Sequence, residues 1–306
     1  MTSTHREVLA AMYRSVDSTS ILQRIFSNSP SSSALRRLCV VNERNVLKVG
    51  SDYTFLELQR SVFRLAMVIR ERIAGEKVGG EKPVVIGVCF EACTTGAVLS
   101  MLASIYLGIL FLPIDATRAL PQEYPRGFLS IVIHDAVATS FVSELQKCET
   151  CEHFLEMSTI ETTLFDPNVI TTRGTNIDTE IKMFDRNKST THEPLYLFRT
   201  SGSTGTSKYV IETEQGLINR CMWQCNRFPF HKNEAILAKT PLNFIDCMAE
   251  IFAPLLGGVV LCVLDYGANL TGISNPWRDP KLIQTAIKQQ GISRLVSTPT
   301  LLREIL

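Results

Sequence analysis

The chain has no long basic run and almost no net charge, with 31 Lys and Arg against 30 Asp and Glu, a balance of +1. That excludes the electrostatic footprint of a nucleic-acid binder and gives no polybasic helix for an anionic membrane surface. Met1 to Val40 lacks the basic start, apolar middle and small-residue cleavage site of a secretory leader. Together with an odd count of 9 cysteines, this predicts reduced thiols and a cytoplasmic location. Cys148-x-x-Cys151 with His153 has a metal-like spacing, but no second pair follows to complete four ligands, so no metal site is expected. Cys221 and Cys225 lie four apart on one helix face and read as core filler. No repeat of 20 to 50 residues is present. What remains is 306 residues, 45% hydrophobic and 20% charged, a composition that excludes disorder throughout and leaves a small molecule or a protein as partner.

Ala92 to Ile114 carries no charge for 23 residues, long enough to span a bilayer. Acidic Glu91 and Asp115 flank it instead of Lys or Arg, and Gly108 and Pro113 interrupt it. A buried helix feeding a buried parallel strand from Ile109 to Ile114 gives the same hydropathy and is the better reading. Around it, strand-like runs alternate with helix-period segments: Leu38 to Val41, a helix from Thr54 to Ile73, a strand from Val84 to Phe90. Such alternation predicts an α/β fold with a mainly parallel sheet. Thr54-Phe-Leu-Glu57 is a capping box that fixes its helix start.

Residues 1–37, with the serine-rich run Asn28 to Ser33, read as a poorly ordered arm holding at most a short helix from Arg6 to Val16. Order is expected from Leu38, and the polar stretch from about 150 to 194 reads as a subdomain boundary within 38–306. After it come a strand at Leu195 to Phe198, a polar loop, a second strand near Tyr209 to Glu212 and a helix from Glu214 to Asn226.

That loop, Thr200-Ser-Gly-Ser-Thr-Gly-Thr-Ser-Lys208, packs six hydroxyls, two glycines and one cation into nine residues directly after a buried-looking strand. Gly202 and Gly205 allow backbone N–H groups to turn inward, the hydroxyls of Thr200, Ser201, Ser203 and Thr204 donate, and Lys208 brings a compact positive charge to phosphate. A flexible polar turn is the bland alternative. It is not a Walker A loop, because Ser207 stands where the second glycine belongs and Tyr209 where the magnesium-binding hydroxyl belongs. The dinucleotide fingerprint fails as well, for want of its glycine spacing and a helix directly after it.

Tyr196 to Lys208 closely resembles the phosphate-binding signature of adenylate-forming enzymes, the family of acyl-CoA synthetases, luciferases and nonribosomal peptide synthetase adenylation domains. Tyr53 to Leu58, Leu107 to Asp115 and Thr298 to Arg303 resemble further motifs of that family in the same order, so the likeness spans about Leu38 to Leu306. It departs at Ser207, usually proline, and at Tyr209, usually glycine. The resemblance implies two stacked, mainly parallel αβ layers of an adenylation-domain large lobe, incomplete at the C-terminus, because the family's later motifs are expected beyond Leu306. It implies ATP and Mg2+ as cofactors, with the phosphates held at Thr200, Ser201, Gly202, Ser203, Thr204, Gly205 and Lys208. A carboxylate would attack the α-phosphorus to give an acyl-adenylate and pyrophosphate, with the acyl group passing next to a thiol, a phosphopantetheine on a carrier domain being one acceptor.

On the substrate side, Asn243-Phe-Ile-Asp-Cys-Met-Ala-Glu250 lies where amino-acid-activating members carry an aspartate for the substrate ammonium. The usual Phe-Asp pair is separated here by Ile245, so the resemblance gives Phe244 and Asp246 as substrate-binding residues and is closest to the β-alanine-activating Ebony type. The competing reading has Asp246 capping a helix from Cys247 to Leu255. Trp223, Phe228 and Phe230 read as core aromatics, and His231 as part of an exposed turn. Three functions stay open: activation of a small β-alanine-like amino acid, a non-catalytic paralogue that binds nucleotide or a partner, and a fatty acyl-CoA synthetase.

Overall fold

The computed structural model describes residues 20–41, 46–74, 84–117, 124, 126–151, 153–160, 164, 193–200, 208–265 and 279–306. The expected helix from Arg6 to Val16, most of the boundary at 150–194 and the loop residues Ser201 to Ser207 lie outside these.

In chain order the elements are helix α1 (Ile21–Phe26), strands β1 (Ser33–Val41) and β2 (Val46–Thr54), helix α2 (Phe55–Arg72), β3 (Val85–Phe90), α3 (Thr95–Leu107), β4 (Leu110–Asp115) and β5 (Ile131–His134). Then follow α4 (Thr139–Lys147), β6 (His153–Glu156), β7 (Pro194–Thr200), β8 (Lys208–Thr213), α5 (Glu214–Arg227), β9 (Ala235–Leu237), α6 (Asp246–Gly257), β10 (Val260–Asp265), α7 (Pro280–Gln290) and α8 (Pro299–Ile305). The strands form two sheets, one ordered β6-β5-β3-β4-β7-β8 and the other β2-β1-β10-β9. Each is parallel except for one antiparallel pair at an edge, β7 with β8 and β1 with β2. The α/β expectation holds.

The uncharged stretch resolves into two elements because Gly108, in the left-handed region at φ 65°, ends α3 and releases the chain into β4. All of α3 from Ala97 to Ile105 is buried, as a helix apolar all round must be. Among the described residues no helix is long and apolar enough to cross a membrane. β3 is buried on both faces, Ile86, Val88 and Phe90 entering the main core and Val85 and Cys89 a second cluster with Leu112 and Leu145. This two-sided burial is why the central parallel strands read as continuous apolar runs. The main core also holds Leu35 and Leu261 of the four-stranded sheet, so the two sheets share one apolar interior with α3 and α6.

The capping box forms as read: Thr54 Oγ1 accepts from Glu57 N at 3.2 Å, and the Glu57 carboxylate accepts from Thr54 N at 2.8 Å. The arm expected over 1–37 is corrected from Ser20 onward. Ser20 and Gln23 make a second capping box on α1, whose Ile21, Leu22 and Ile25 are fully buried. The Ile21 N–H donates to Glu214 Oε1 at 2.6 Å, locking this short helix to the start of α5.

Candidate functional site

The phosphate-loop candidate joins β7 to β8. In a parallel arrangement β3, β4, β5 and β7 finish on the same side of the sheet, and ligands of open α/β sheets bind beyond those carboxyl ends. Thr200 and Lys208 face each other as the last antiparallel pair, and the Thr200 hydroxyl donates to the Lys208 carbonyl at 3.3 Å. Both side chains are exposed there. Ser201, Gly202, Ser203, Thr204 and Gly205 lie outside the described residues. The base of the hairpin is fixed by rings: Tyr196 is buried against Phe111 at 5.5 Å, and burial drives its phenol pKa up. Tyr209 packs on Phe128 at 4.8 Å, occupying space beside the loop exit with a ring. On the neighbouring strand, Asp115 is buried and its Oδ1 accepts from both Thr117 N and Oγ1, at 2.9 and 2.6 Å.

The substrate-side candidates take different positions. Asp246 does not cap its helix. It is the first helical residue, and the N-cap is Ile245, which makes no side-chain bond. Its carboxylate is 63% exposed and lies 3.9 Å from the Arg220 guanidinium. The energetic logic is the helix dipole, which favours an acid in the first turn, together with a loose ion pair. Phe244 is also half exposed.

The buried carboxylate of this helix is Glu250, one turn on from Asp246, and the sequence reading gave it no role. Its Oε2 accepts from the N–H groups of Lys239 and Thr240 at 3.0 and 2.7 Å. Burial pushes the Glu250 carboxyl up to about 7, opposed by the Thr240 N–H and the Lys239 charge. Burial in turn lowers the Lys239 ammonium, against the pull of Glu250. The sequence carried no signal for its burial, because a position four residues from the exposed Asp246 falls near the same helix face.

Two of the three aromatics read as core are corrected. Trp223 and Phe228 are 46% and 51% exposed, meeting edge to face at 6.2 Å, while Phe230 packs partly against the core. His231 is exposed at a turn, and its N–H donates to Glu234. Cys221 is fully buried as core, and Cys225 packs against it. The Cys151 thiol is buried and donates to the His153 carbonyl. Among the described residues no group of three or more His, Cys, Asp and Glu side chains could hold a metal ion.

The chain is 29% identical over 223 residues to the beta-alanyl-bioamine nonribosomal peptide synthetase ebony of Drosophila melanogaster, covering 72% of this chain and 23% of that protein. It is 25% identical over 252 residues to tyrocidine synthase 3 of Brevibacillus parabrevis, covering 81% of this chain and 3% of the synthase. The chain thus spans less than a quarter of the length of these relatives. Among solved structures, the N-terminal domain of FACL13 from Mycobacterium tuberculosis matches with a TM-score of 0.66 at 14% identity, over 93% of this chain and 63% of that one. The nonribosomal peptide synthetase FmoA3 matches at 0.64 and 18%, over 94% of this chain and 26% of its own. Residues 28–306 match the AMP-binding enzyme family, ten residues earlier than the motifs alone indicate, and the chain belongs to that family.

Proposed function

We propose that this chain forms the phosphate-binding part of an enzyme that activates a small, β-alanine-like amino acid as its acyl-adenylate. The observation that carries the reading is the hairpin that closes Thr200 on Lys208 at the carboxyl end of β7, with the hydroxyl- and glycine-rich segment between them. An exposed ammonium and hydroxyl at this end of the sheet fit an ATP triphosphate, and a Mg2+ ion bound with it would neutralise part of the phosphate charge. ATP, when bound, supplies the α-phosphorus that the substrate carboxylate attacks. The chain's own residues hold and orient: Thr200, Ser201, Gly202, Ser203, Thr204, Gly205 and Lys208 take the phosphates, and Phe244 and Asp246 take the substrate. Catalysis of this kind is mainly positioning and charge neutralisation and needs no general-base triad. The acyl group would pass to a thiol with release of AMP, and a phosphopantetheine on a carrier domain fits that acceptor.

Support for the amino-acid class comes from the ebony relative and from the Phe-x-Asp order at Phe244 and Asp246. In the free protein Asp246 faces Arg220, so a substrate ammonium would have to replace that guanidinium as its counter-ion. The test is ATP–pyrophosphate exchange by the intact protein with β-alanine, α-amino acids and medium-chain fatty acids. β-Alanine-dependent exchange that falls at least tenfold in Asp246→Asn is expected, about the size of one lost charged contact. Unchanged exchange in that variant would end the ammonium role, and fatty acids as the sole substrates would make the protein an acyl-CoA synthetase. A second reading, nucleotide or partner binding without turnover, is favoured by Ser207 and by the Tyr209 ring packed at the loop exit.

A further inference from the structure

Helix α6 links β9 to the parallel strand β10, so the loop that precedes it leaves the sheet at the carboxyl end of β9. Ala238 makes the last bond to the neighbouring strand, its N–H donating to the Cys262 carbonyl at 2.9 Å. From Pro241 to Met248 the backbone runs through tight turns. The Phe244 N–H donates to the Pro241 carbonyl at 3.0 Å, Cys247 to Phe244 at 3.0 Å and Met248 to Ile245 at 3.1 Å. Leu242 and Cys247 are fully buried on either side of the segment that carries Phe244 and Asp246, and the Cys247 thiol donates to the Leu242 carbonyl at 3.5 Å. Between the sheet and these turns stand the N–H groups of Lys239 and Thr240, and both donate to Glu250 Oε2.

Glu250 satisfies these two donors at a cost in stability. It is 1% exposed, and its other oxygen, Oε1, is buried with no hydrogen-bond partner among the described residues. Its neighbours on α6, Ala249, Ile251 and Phe252, are buried and apolar. A carboxyl group in such a place is destabilising unless fully paired, whereas a leucine would pack there and leave the two N–H groups without an acceptor. Local conflicts of this kind with stability fall at functional positions. We propose that Glu250 is a positioning residue: by holding the N–H groups of Lys239 and Thr240 it fixes the loop from 239 to 246 in the form that presents Phe244 and Asp246 to the substrate. The clamp stands on the hydrogen bonds, while the identity of the substrate rests on the adenylation reading above. Because the bonds go to the backbone, the clamp needs the Lys239 N–H and not its ammonium.

Two readouts on the intact protein separate the clamp from the activity. The first is hydrogen–deuterium exchange of backbone amides, which needs no turnover. Glu250→Leu should speed exchange from Lys239 to Met248 about tenfold or more, with β5 and β6 of the other sheet unchanged. Glu250→Gln should restore most of the protection, because its amide oxygen still accepts both N–H groups, and Lys239→Ala should keep it. If the leucine variant does not fold, Glu250→Asp, one methylene too short to keep both bonds, gives the same readout. The second is ATP–pyrophosphate exchange, in which the variant that opens the loop should raise KM for β-alanine about tenfold while KM for ATP stays within about twofold. Unchanged loop amides in both Glu250→Leu and Glu250→Asp, loosening spread evenly over both sheets, or equal rises in KM for amino acid and ATP would each overturn the proposal. An opened loop in a protein whose parent activates no amino acid would overturn the adenylation reading, and the substrate role with it, while confirming the clamp.

Discussion

Glu250 sets the strongest residue-scale constraint outside the loop. It is buried, anchors the turn at Lys239 and Thr240 with one oxygen, and has a carboxyl raised from its ordinary 4.5 to about 7 by burial. A raised acid binds more protons folded than unfolded, so its contribution to stability is fully present below about 4.5 and is lost as pH rises through about 7. Asp135, also pushed up to about 7 by burial, acts in the same direction. Urea unfolding should therefore show stability falling between about pH 5 and pH 8, and Glu250→Gln should flatten that slope because the amide oxygen still accepts both N–H groups without titrating. An unaltered slope would remove Glu250 as its source. Residues of this kind were hard to read beforehand for a physical reason: hydropathy reports what a side chain prefers, not where packing leaves it. Glu250 is buried against its preference, and Trp223 and Phe228 are exposed against theirs, which is why the latter read as core.

At the scale of elements, legibility followed local signals. Thr54 with Glu57, the glycine at Gly108 and the apolar runs of β3 and β4 each carry their instruction within a few residues, and each element formed where it was read. Helix α1 has only six residues and sits beside a serine-rich run, so its stability comes from distant partners. The main one is Glu214, itself buried at the start of α5. Glu214→Ala should leave the Ile21 N–H buried without an acceptor and cost about 1–3 kcal/mol, measured by denaturant unfolding. Protease cleavage near α1 should rise in parallel. A loss below about 0.5 kcal/mol would show that α1 docks through its apolar face alone.

For the molecule as a whole, one apolar interior joins the two sheets, and the hairpin ends Thr200 and Lys208 sit at the carboxyl end of the parallel strands. The sheet class followed from the alternation of elements, because each βαβ step is local. The mutual placement of Asp246, Arg220 and Glu250 did not, because it depends on how α5 and α6 pack, a contact between segments some twenty-five residues apart. The α/β class and the hairpin ends Thr200 and Lys208 were therefore readable, whereas the buried state of Glu250 and the ion pair of Asp246 were not. The most direct test of the central claim is equilibrium binding of Mg·ATP to the full chain and to Lys208→Ala, with thermal unfolding as the control for folding. Saturable binding, weakened about tenfold or more by the substitution at unchanged thermal stability, is the predicted result. Equal binding by the two proteins would contradict the placing of the phosphates at this hairpin.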